Sequence, residues 1–249
     1  MATAILQTAQ HGPAGTTLTA SNLTERVALI RTSPLFDGLP PDQCEDVARQ
    51  ARAKVLARDE MLFMQGEPVR NLALIRTGSV KISQLGPNGS EVILWIYGTG
   101  NVVGGLSEPI SSHHSCSARA MEQSTALVWE YSVLQGLMMR YPQIRKNIGQ
   151  ILFSRLNELE ERFREVATEK VAKRVALALL RLLNHIGKKV HGGVEISLSR
   201  EELAQMTGTT LFTTSRLLSK WGEMGFVLPR RESVLIRDAH RLGLVSDDL

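Results

Sequence analysis

The chain has 249 residues, of which 43% are hydrophobic and 22% charged, so wholesale disorder and a collagen-like repeat are excluded and two domains are expected. Lys and Arg number 29 against 25 Asp and Glu, a net charge of +4. The excess is localised: residues 1–167 carry 16 basic and 16 acidic side chains and residues 168–249 carry 13 and 9, so a polyanion site is to be sought in the last third.

Residues 1–25 are rich in Ala, Thr and Gln, without a charged n-region or a sustained apolar core, and read as a flexible tail rather than a signal peptide. No stretch approaches the ~20 apolar residues of a membrane span. Cytoplasm is therefore the default location, and no membrane partner is expected. Residues 22–57 read as helical: Leu23, Val27 and Ile30 share a face that Ser33-Pro34 ends, and Asp42 opens a second helix with Cys44, Val47 and Ala48 inward.

From about 54 to 132 the texture changes to short apolar runs broken by glycine turns, over 60–64, 72–77, 79–85, 91–97, 117–121 and 126–131. Short strands at this density predict a sandwich, jelly roll or barrel, and Asn88-Gly89 predicts a hairpin. Two cysteines, Cys44 and Cys116, are too few for a disulfide framework or a four-cysteine metal or cluster site.

Residues 133–183 are helical again. Pro142 sits near the start of a long helix whose apolar residues are Ile148, Leu152, Leu156, Leu159, Phe163 and Val166, a mean spacing of 3.6. Arg155, Glu158, Glu160, Glu161, Arg162, Arg164 and Glu165 form the opposite, charged face. Such a stripe is covered either by its own domain or by a second copy, and the pattern alone does not choose. A further helix over 168–186 buries Val171, Val175, Leu179 and Leu182, and Gly192-Gly193 reads as a loop.

The sharpest local signal lies in 196–237. Ser199 followed by Glu202 is a capping box, and Thr207-Gly208-Thr209 is a short turn. Thr210 caps a second helix that Gly225 ends, and 227–236 forms a hairpin through Pro229-Arg230-Arg231. Helix, glycine turn, helix and basic wing make a winged helix-turn-helix. Thr210, Leu211, Phe212, Thr214, Ser215 and Arg216 would face the major groove, and Arg216 suits a bidentate contact to guanine. Lys220, Arg200, Arg230 and Arg231 are candidate phosphate contacts. The plain alternatives are solvated arginines and, for Phe212, packing against a neighbouring side chain.

The order of these parts resembles the cyclic AMP receptor protein and fumarate-nitrate regulator (Crp/Fnr) family of bacterial transcription factors. The resemblance runs from about Phe36 to Ile236 and rests on Leu35-Phe36-Asp37-Gly38-Leu39, Phe63-Met64-Gln65-Gly66-Glu67, Gly100-Asn101-Val102-Val103-Gly104-Gly105-Leu106 and Thr213-Thr214-Ser215-Arg216-Leu217-Leu218. It implies an α+β chain in three parts. A β-jelly-roll (double-stranded β-helix) sensor domain spans 26–140, a dimerisation helix 141–167, and a C-terminal winged helix-turn-helix 168–240. It further implies a homodimer on a double-stranded DNA palindrome, joined along Ile148, Leu152, Leu156, Leu159, Phe163 and Val166. Its effector would lie near Gly104, Gly105, Leu106, His114 and Ser115, and RNA polymerase would be a partner if the protein activates.

The departures from the family pattern bear on the effector. Gly105 stands where cyclic-AMP-binding members carry a ribose-binding glutamate, and His114-Ser115 stands where they carry an Arg-Ser or Arg-Thr pair that clamps the cyclic phosphate. The nearby Arg119 falls within the following strand. A neutral imidazole substitutes badly for a bidentate guanidinium, so cyclic AMP is not expected. An iron–sulfur cluster is excluded by the two cysteines. Haem, sensing nitric oxide or carbon monoxide, is an alternative through His113 or His114. Phe212 replaces a common glutamate, so the half-site should differ from the usual one. A jelly-roll metalloenzyme of the cupin type is the competing class, but adjacent histidines point to opposite faces of a strand and no catalytic constellation stands out, so no enzyme is expected.

Overall fold

A computed structural model describes residues 20–106 and 113–245. The first helix, α1 (Ala20–Thr32), begins inside the span read as a tail; residues 20–25 are helical, and 1–19 lie outside the described residues. Ile30 is buried and Arg26 donates to the Ala51 carbonyl at 2.8 Å, which ties α1 to the domain. A short 3-10 turn, Pro34–Phe36, leads to α2 (Pro41–Arg49), which buries Cys44, Val47 and Ala48.

Residues 52–56 form a strand, not the end of a helical stretch. This strand, β1 (Arg52–Leu56), pairs antiparallel along its whole length with β8 (Ser124–Glu130). The other strands of the domain are β2 (Met61–Phe63), β3 (Asn71–Thr77), β4 (Val80–Leu85), β5 (Glu91–Tyr97), β6 (Val102–Val103) and β7 (Ser117–Ala120). They form two four-stranded sheets, β1-β8-β3-β6 and β2-β7-β4-β5, the two halves of a jelly roll. Strand alternation sends Ile75 and Val103 into the roll with Val80 and Ile82. It sends Leu72, Leu74 and Trp129 outward, against the helices. Trp129 is fully buried and its indole donates to the Val47 carbonyl at 2.9 Å.

After α3 (Tyr131–Arg140) comes α4 (Pro142–Thr168), 27 residues long. Only its first turns enter the core of the sensor domain. Ile144 and Ile148 are buried there, and Asn147 donates to the carbonyls of Leu35 and Asp37, both at 2.9 Å. Ile148 therefore belongs to its own core and is withdrawn from the expected dimer seam; Leu152 packs partly against the same core.

Below Leu152 the two faces are the reverse of the simple amphipathic reading. Arg155, Arg162 and Glu165, read as a solvated charged face, point inward, while the apolar residues point out. Arg155 donates to the Val102 carbonyl at 2.7 Å, and Arg162 donates to the carbonyls of Leu94, Ile93 and Met206. Long cationic side chains satisfy backbone carbonyls where a leucine could not. Phe153, Leu156, Leu159, Phe163 and Val166 are left exposed.

The C-terminal unit starts with α5 (Val171–Ile186). The glycines at 192–193 turn a hairpin between β9 (Lys188–Val190) and β10 (Gly193–Ser197), so this stretch is more than a loop. Then follow α6 (Arg200–Thr207), α7 (Leu211–Glu223), the wing strands β11 (Val227–Pro229) and β12 (Ser233–Ile236), and α8 (Ala239–Gly243). Leu242 and Val245 close its core, so the unit continues past the expected boundary at 240. Ile93 and Ile96 of β5 join this same core, which docks the unit on the sensor domain. Among the described residues no helix is long and apolar enough to cross a membrane.

Glu165 is 3% exposed, and both its oxygens are held by Arg181 of α5, at 2.6 and 3.0 Å. Removing one partner of a buried ion pair leaves the other charge uncompensated, which costs more than the pair contributes. Glu165→Ala is expected to destabilise the chain by about 3 kcal/mol, with Glu165→Met/Arg181→Met nearer the parent. Urea unfolding followed by circular dichroism measures both; a double variant as weak as the single one would refute the pairing.

Candidate nucleic-acid interface and effector cavity

The helix-turn-helix is set by three local devices. The Ser199 side chain accepts from the Glu202 amide at 3.2 Å, and the Glu202 carboxylate accepts from the Ser199 amide at 2.9 Å, so the box closes in both directions. Gly208, at φ 62°, ends α6 in the left-handed region, where a side chain would be strained. Thr210 then caps α7, its hydroxyl accepting from the Thr213 amide at 3.1 Å.

With its start fixed, α7 presents one face outward. Leu211, Phe212, Arg216 and Lys220 are exposed and Ser215 is half-buried. Phe212 is 76% exposed, so it does not pack against a neighbour as its alternative reading supposed. Ser219, not singled out in the sequence, is also exposed, one helix turn from Ser215 and Arg216. Thr214 is corrected: it is fully buried on the inward stripe with Leu217, Leu218 and Trp221, and cannot reach a groove.

The basic residues divide as well. Thr210 and Arg231 are exposed, and Arg200 is half-buried at the start of α6. Arg230 is paired with Glu195 at 2.5 Å, on the same oxygen that accepts from Ser233 at 2.7 Å. The Ser233 hydroxyl and Arg230 together hold the Glu195 carboxyl below its ordinary value. Arg230 thus pins the wing to β10 and is not a free phosphate contact.

The sensor domain touches this unit through charge as well. Lys81 of β4 lies 3.5 Å from the capping-box Glu202 and 3.7 Å from Glu91. Arg58 bonds Glu232 of the wing at 2.8 Å.

The second candidate site is a cavity of about 220 Å³ between the jelly roll and α4. Gly104, Gly105, Leu106, His114 and Ser115 all line it, as the sequence proposed. Arg119 does not; it is exposed on β7, its Nε 3.2 Å from the Met61 sulfur. Gly105 has φ 62°, and a Cβ there would stand 3.1 Å from Leu72 and 3.2 Å from the Asn71 carbonyl. A glutamate at this position would be strained and crowded. His114 is buried and lies flat on Phe63, ring centroids 3.6 Å apart. Burial pushes its imidazole below its ordinary value, with Glu67 opposing, so it is neutral at pH 7.

The described residues do not fit a haem. The cavity is below the ~300–1,000 Å³ of clefts for drug-sized ligands, and a porphyrin is larger than those. Among the described residues no three His, Cys, Asp or Glu side chains come together as a metal site. Trp95, Tyr97 and Arg155 also line the cavity and were not identified from sequence. Arg155 carries a signal in its spacing, since it lies about one turn from Leu152, which packs against the sensor core.

Residues 53–141 match the cyclic nucleotide-binding domain, and residues 173–244 match the Crp-like helix-turn-helix domain. The chain is 27% identical over 216 residues to a CRP-like cAMP-activated global transcriptional regulator of Mycobacterium tuberculosis, covering 86% of this chain and 96% of that one. It is 29% identical over 210 residues to a cyclic AMP receptor protein of Thermus thermophilus, covering 84% and 95%. The structure of FixK2 from Bradyrhizobium japonicum superposes with a TM-score of 0.68 at 22% identity, covering 77% of this chain and 95% of that one, a likeness of fold. A jelly-roll domain of the cyclic nucleotide-binding type, a long helix and a Crp-like DNA-binding unit, in that order and with those relatives, place this chain in the Crp/Fnr family of transcription regulators.

Proposed function

We propose that two copies of this chain join along α4 and bind a palindromic site on double-stranded DNA, under control of an effector in the jelly-roll cavity. The observation that carries the DNA reading is the outward face of α7, where Phe212, Ser215, Arg216, Ser219 and Lys220 follow one another at helical spacing. Arg216 contacts a guanine edge, Phe212 lies on a thymine methyl, and Lys220, Arg200 and Arg231 approach phosphates. Two such helices would enter major grooves about 34 Å apart, one turn of DNA.

The exposed stripe on α4 supports the dimer. Phe153, Leu156, Leu159, Phe163 and Val166 form a row of large apolar side chains that a monomer would leave in water. A second α4 covers it with the same residues, a self-complementary seam. Phe153 joins this seam, and Ile148 does not.

Both of these relatives are named for cyclic AMP, and this chain departs from that chemistry. Gly105 supplies no carboxylate for a ribose, and neutral His114 supplies no charge for a cyclic phosphate. The effector is accordingly a different molecule. RNA polymerase is a further partner where the protein activates. The location proposed is the cytoplasm.

Arg216→Ala is expected to weaken sequence-specific binding by roughly 5- to 150-fold per half-site, the worth of about 1–3 kcal/mol, while the dimer persists. A gel-shift series on a selected palindrome with a scrambled control measures this; an unchanged footprint would remove Arg216 from the readout. Leu156→Glu/Phe163→Glu should give monomers by light scattering with the fold intact by circular dichroism, and a persisting dimer would move the seam elsewhere. Calorimetric titration with cyclic AMP should show no saturable heat, and micromolar binding would overturn the argument from Gly105 and His114.

A further inference from the structure

The cavity under α4 holds a charge that has no ion-pair partner among the described residues. Arg155 is the single formally charged side chain among its described lining residues. Among the described residues its guanidinium makes one hydrogen bond, to the Val102 carbonyl at 2.7 Å, and it lies over the Tyr97 ring at 4.7 Å. A guanidinium has five N–H donors in a planar fork. No carboxylate stands within ion-pair distance of it among the described residues; Glu158, one turn along α4, leaves it unpaired. Burial pushes its ionisation below the ordinary arginine value, as expected of a cation withdrawn from water without a counter-ion.

Two further donors belong to side chains of the same wall. The Trp95 indole N–H and the Tyr97 hydroxyl are buried and have no hydrogen-bond partner among the described residues. Tyr97 as a whole is 5% exposed. Buried indole and phenol groups nearly always find partners. Here Arg155, Trp95 and Tyr97 all line one space, and among the described residues neither the indole nor the phenol has an acceptor.

A carboxylate is acceptor-only, with two oxygens and about four lone-pair sites. That is the group these three donors lack. The rest of the wall is apolar and aromatic: Phe63, Ile82, Val103, Leu106, Leu152 and Leu156. At about 220 Å³ the cavity exceeds the ~150 Å³ that takes a benzene ring, leaving room for one ring and a short acidic arm.

We infer that this cavity binds a small single-ring aromatic carboxylate, with its charge on Arg155, its oxygens on Trp95 and Tyr97, and its ring against the apolar wall. The inference rests on the proposal that the effector occupies this cavity, and names its chemical class. The ligand would touch Leu152, Arg155 and Leu156 at once, and so bear directly on α4 where that helix leaves its own core.

The test uses the full chain with benzoate, phenylacetate and salicylate as probes, and benzamide and phenylacetamide as neutral counterparts. Calorimetry measures affinity; tryptophan emission reports on Trp95, since Trp129 and Trp221 are fully buried elsewhere. At least one acid is expected to bind saturably and shift the emission, with its amide at least about tenfold weaker. Arg155→Met should weaken the acid about tenfold or more and leave the amide unchanged. Trp95→Phe/Tyr97→Phe keeps ring packing and removes only the two donors; it should weaken the acid several-fold, and stands in should Arg155→Met fold poorly. Equal affinity for acid and amide, binding of none of the acids at millimolar concentration, or displacement by inorganic phosphate alone would each overturn the inference. A parallel gel shift separates it from the regulatory reading. An acid that binds through Arg155 without changing DNA affinity keeps the site and overturns the effector role. A DNA response to another compound, with no acid bound, overturns the ligand class and keeps the effector role.

Discussion

The arrangement of the two domains depends on the Glu165–Arg181 pair. Glu165 is near the end of α4 and Arg181 is in the third turn of α5, so the pair spans the break between the sensor module and everything that touches DNA. A buried ion pair adds little net stability over apolar side chains of the same volume. What it fixes is direction, because two oxygens on one guanidinium admit one orientation. Arg162, one turn earlier, adds carbonyls from β5 and from α6 to the same junction. The end of α4 is therefore fixed to both domains through hydrogen bonds whose geometry is narrow, and α5 leaves it at a set angle.

That junction accounts for the reversal of α4. A helix whose inner side must meet backbone carbonyls and a buried arginine cannot also place leucines there. Its apolar stripe is turned outward, where water is a poor neighbour and a second copy of the same stripe a good one. The cavity sits at the head of the same stretch. Arg155 lies about 15 Å up the axis from Glu165 at 1.5 Å per residue, on one continuous helix. A ligand that draws on Arg155 acts on the rigid element whose other end holds the DNA-binding unit.

Sequence patterns were informative where structure is local and misleading where it is a matter of partners. The capping box, Gly208 and Thr210 are each settled within four residues, so the helix-turn-helix could be read directly. The jelly-roll strands showed through alternation and glycine turns. Strand β1 did not, since five residues beside a helix carry too little period to declare themselves. An amphipathic stripe states that one face is apolar and says nothing of what covers it, so Ile148 and Phe163 look equivalent although one is in its own core and the other in water. Thr214 passed for a surface residue because threonine is polar, yet its place on the stripe with Leu217 and Trp221 is inward. Arg155 passed for a solvated charge for the same reason. In each case residue type was read as exposure, where position on the helix decided it.

The docking of the DNA-binding unit on the sensor sets the energy scale on which an effector must act. The exposed links, Arg58–Glu232 and Lys188–Glu122, are worth about 0–1 kcal/mol each and weaken in salt. Ile93 and Ile96, buried in the core of the C-terminal unit, each contribute about 1.5–3 kcal/mol of apolar burial. The seam is thus held by apolar contact and the Arg162 junction, and the surface charges select register rather than strength. Reorienting the unit costs several kcal/mol, whereas a ligand with a tenfold preference for one state supplies about 1.4 kcal/mol. A swing of the population from one state to the other takes a preference of about 10⁴. A single hydrogen bond in the cavity would not provide that. A carboxylate that met the Arg155 cation together with the indole and the phenol would draw on several such interactions at once.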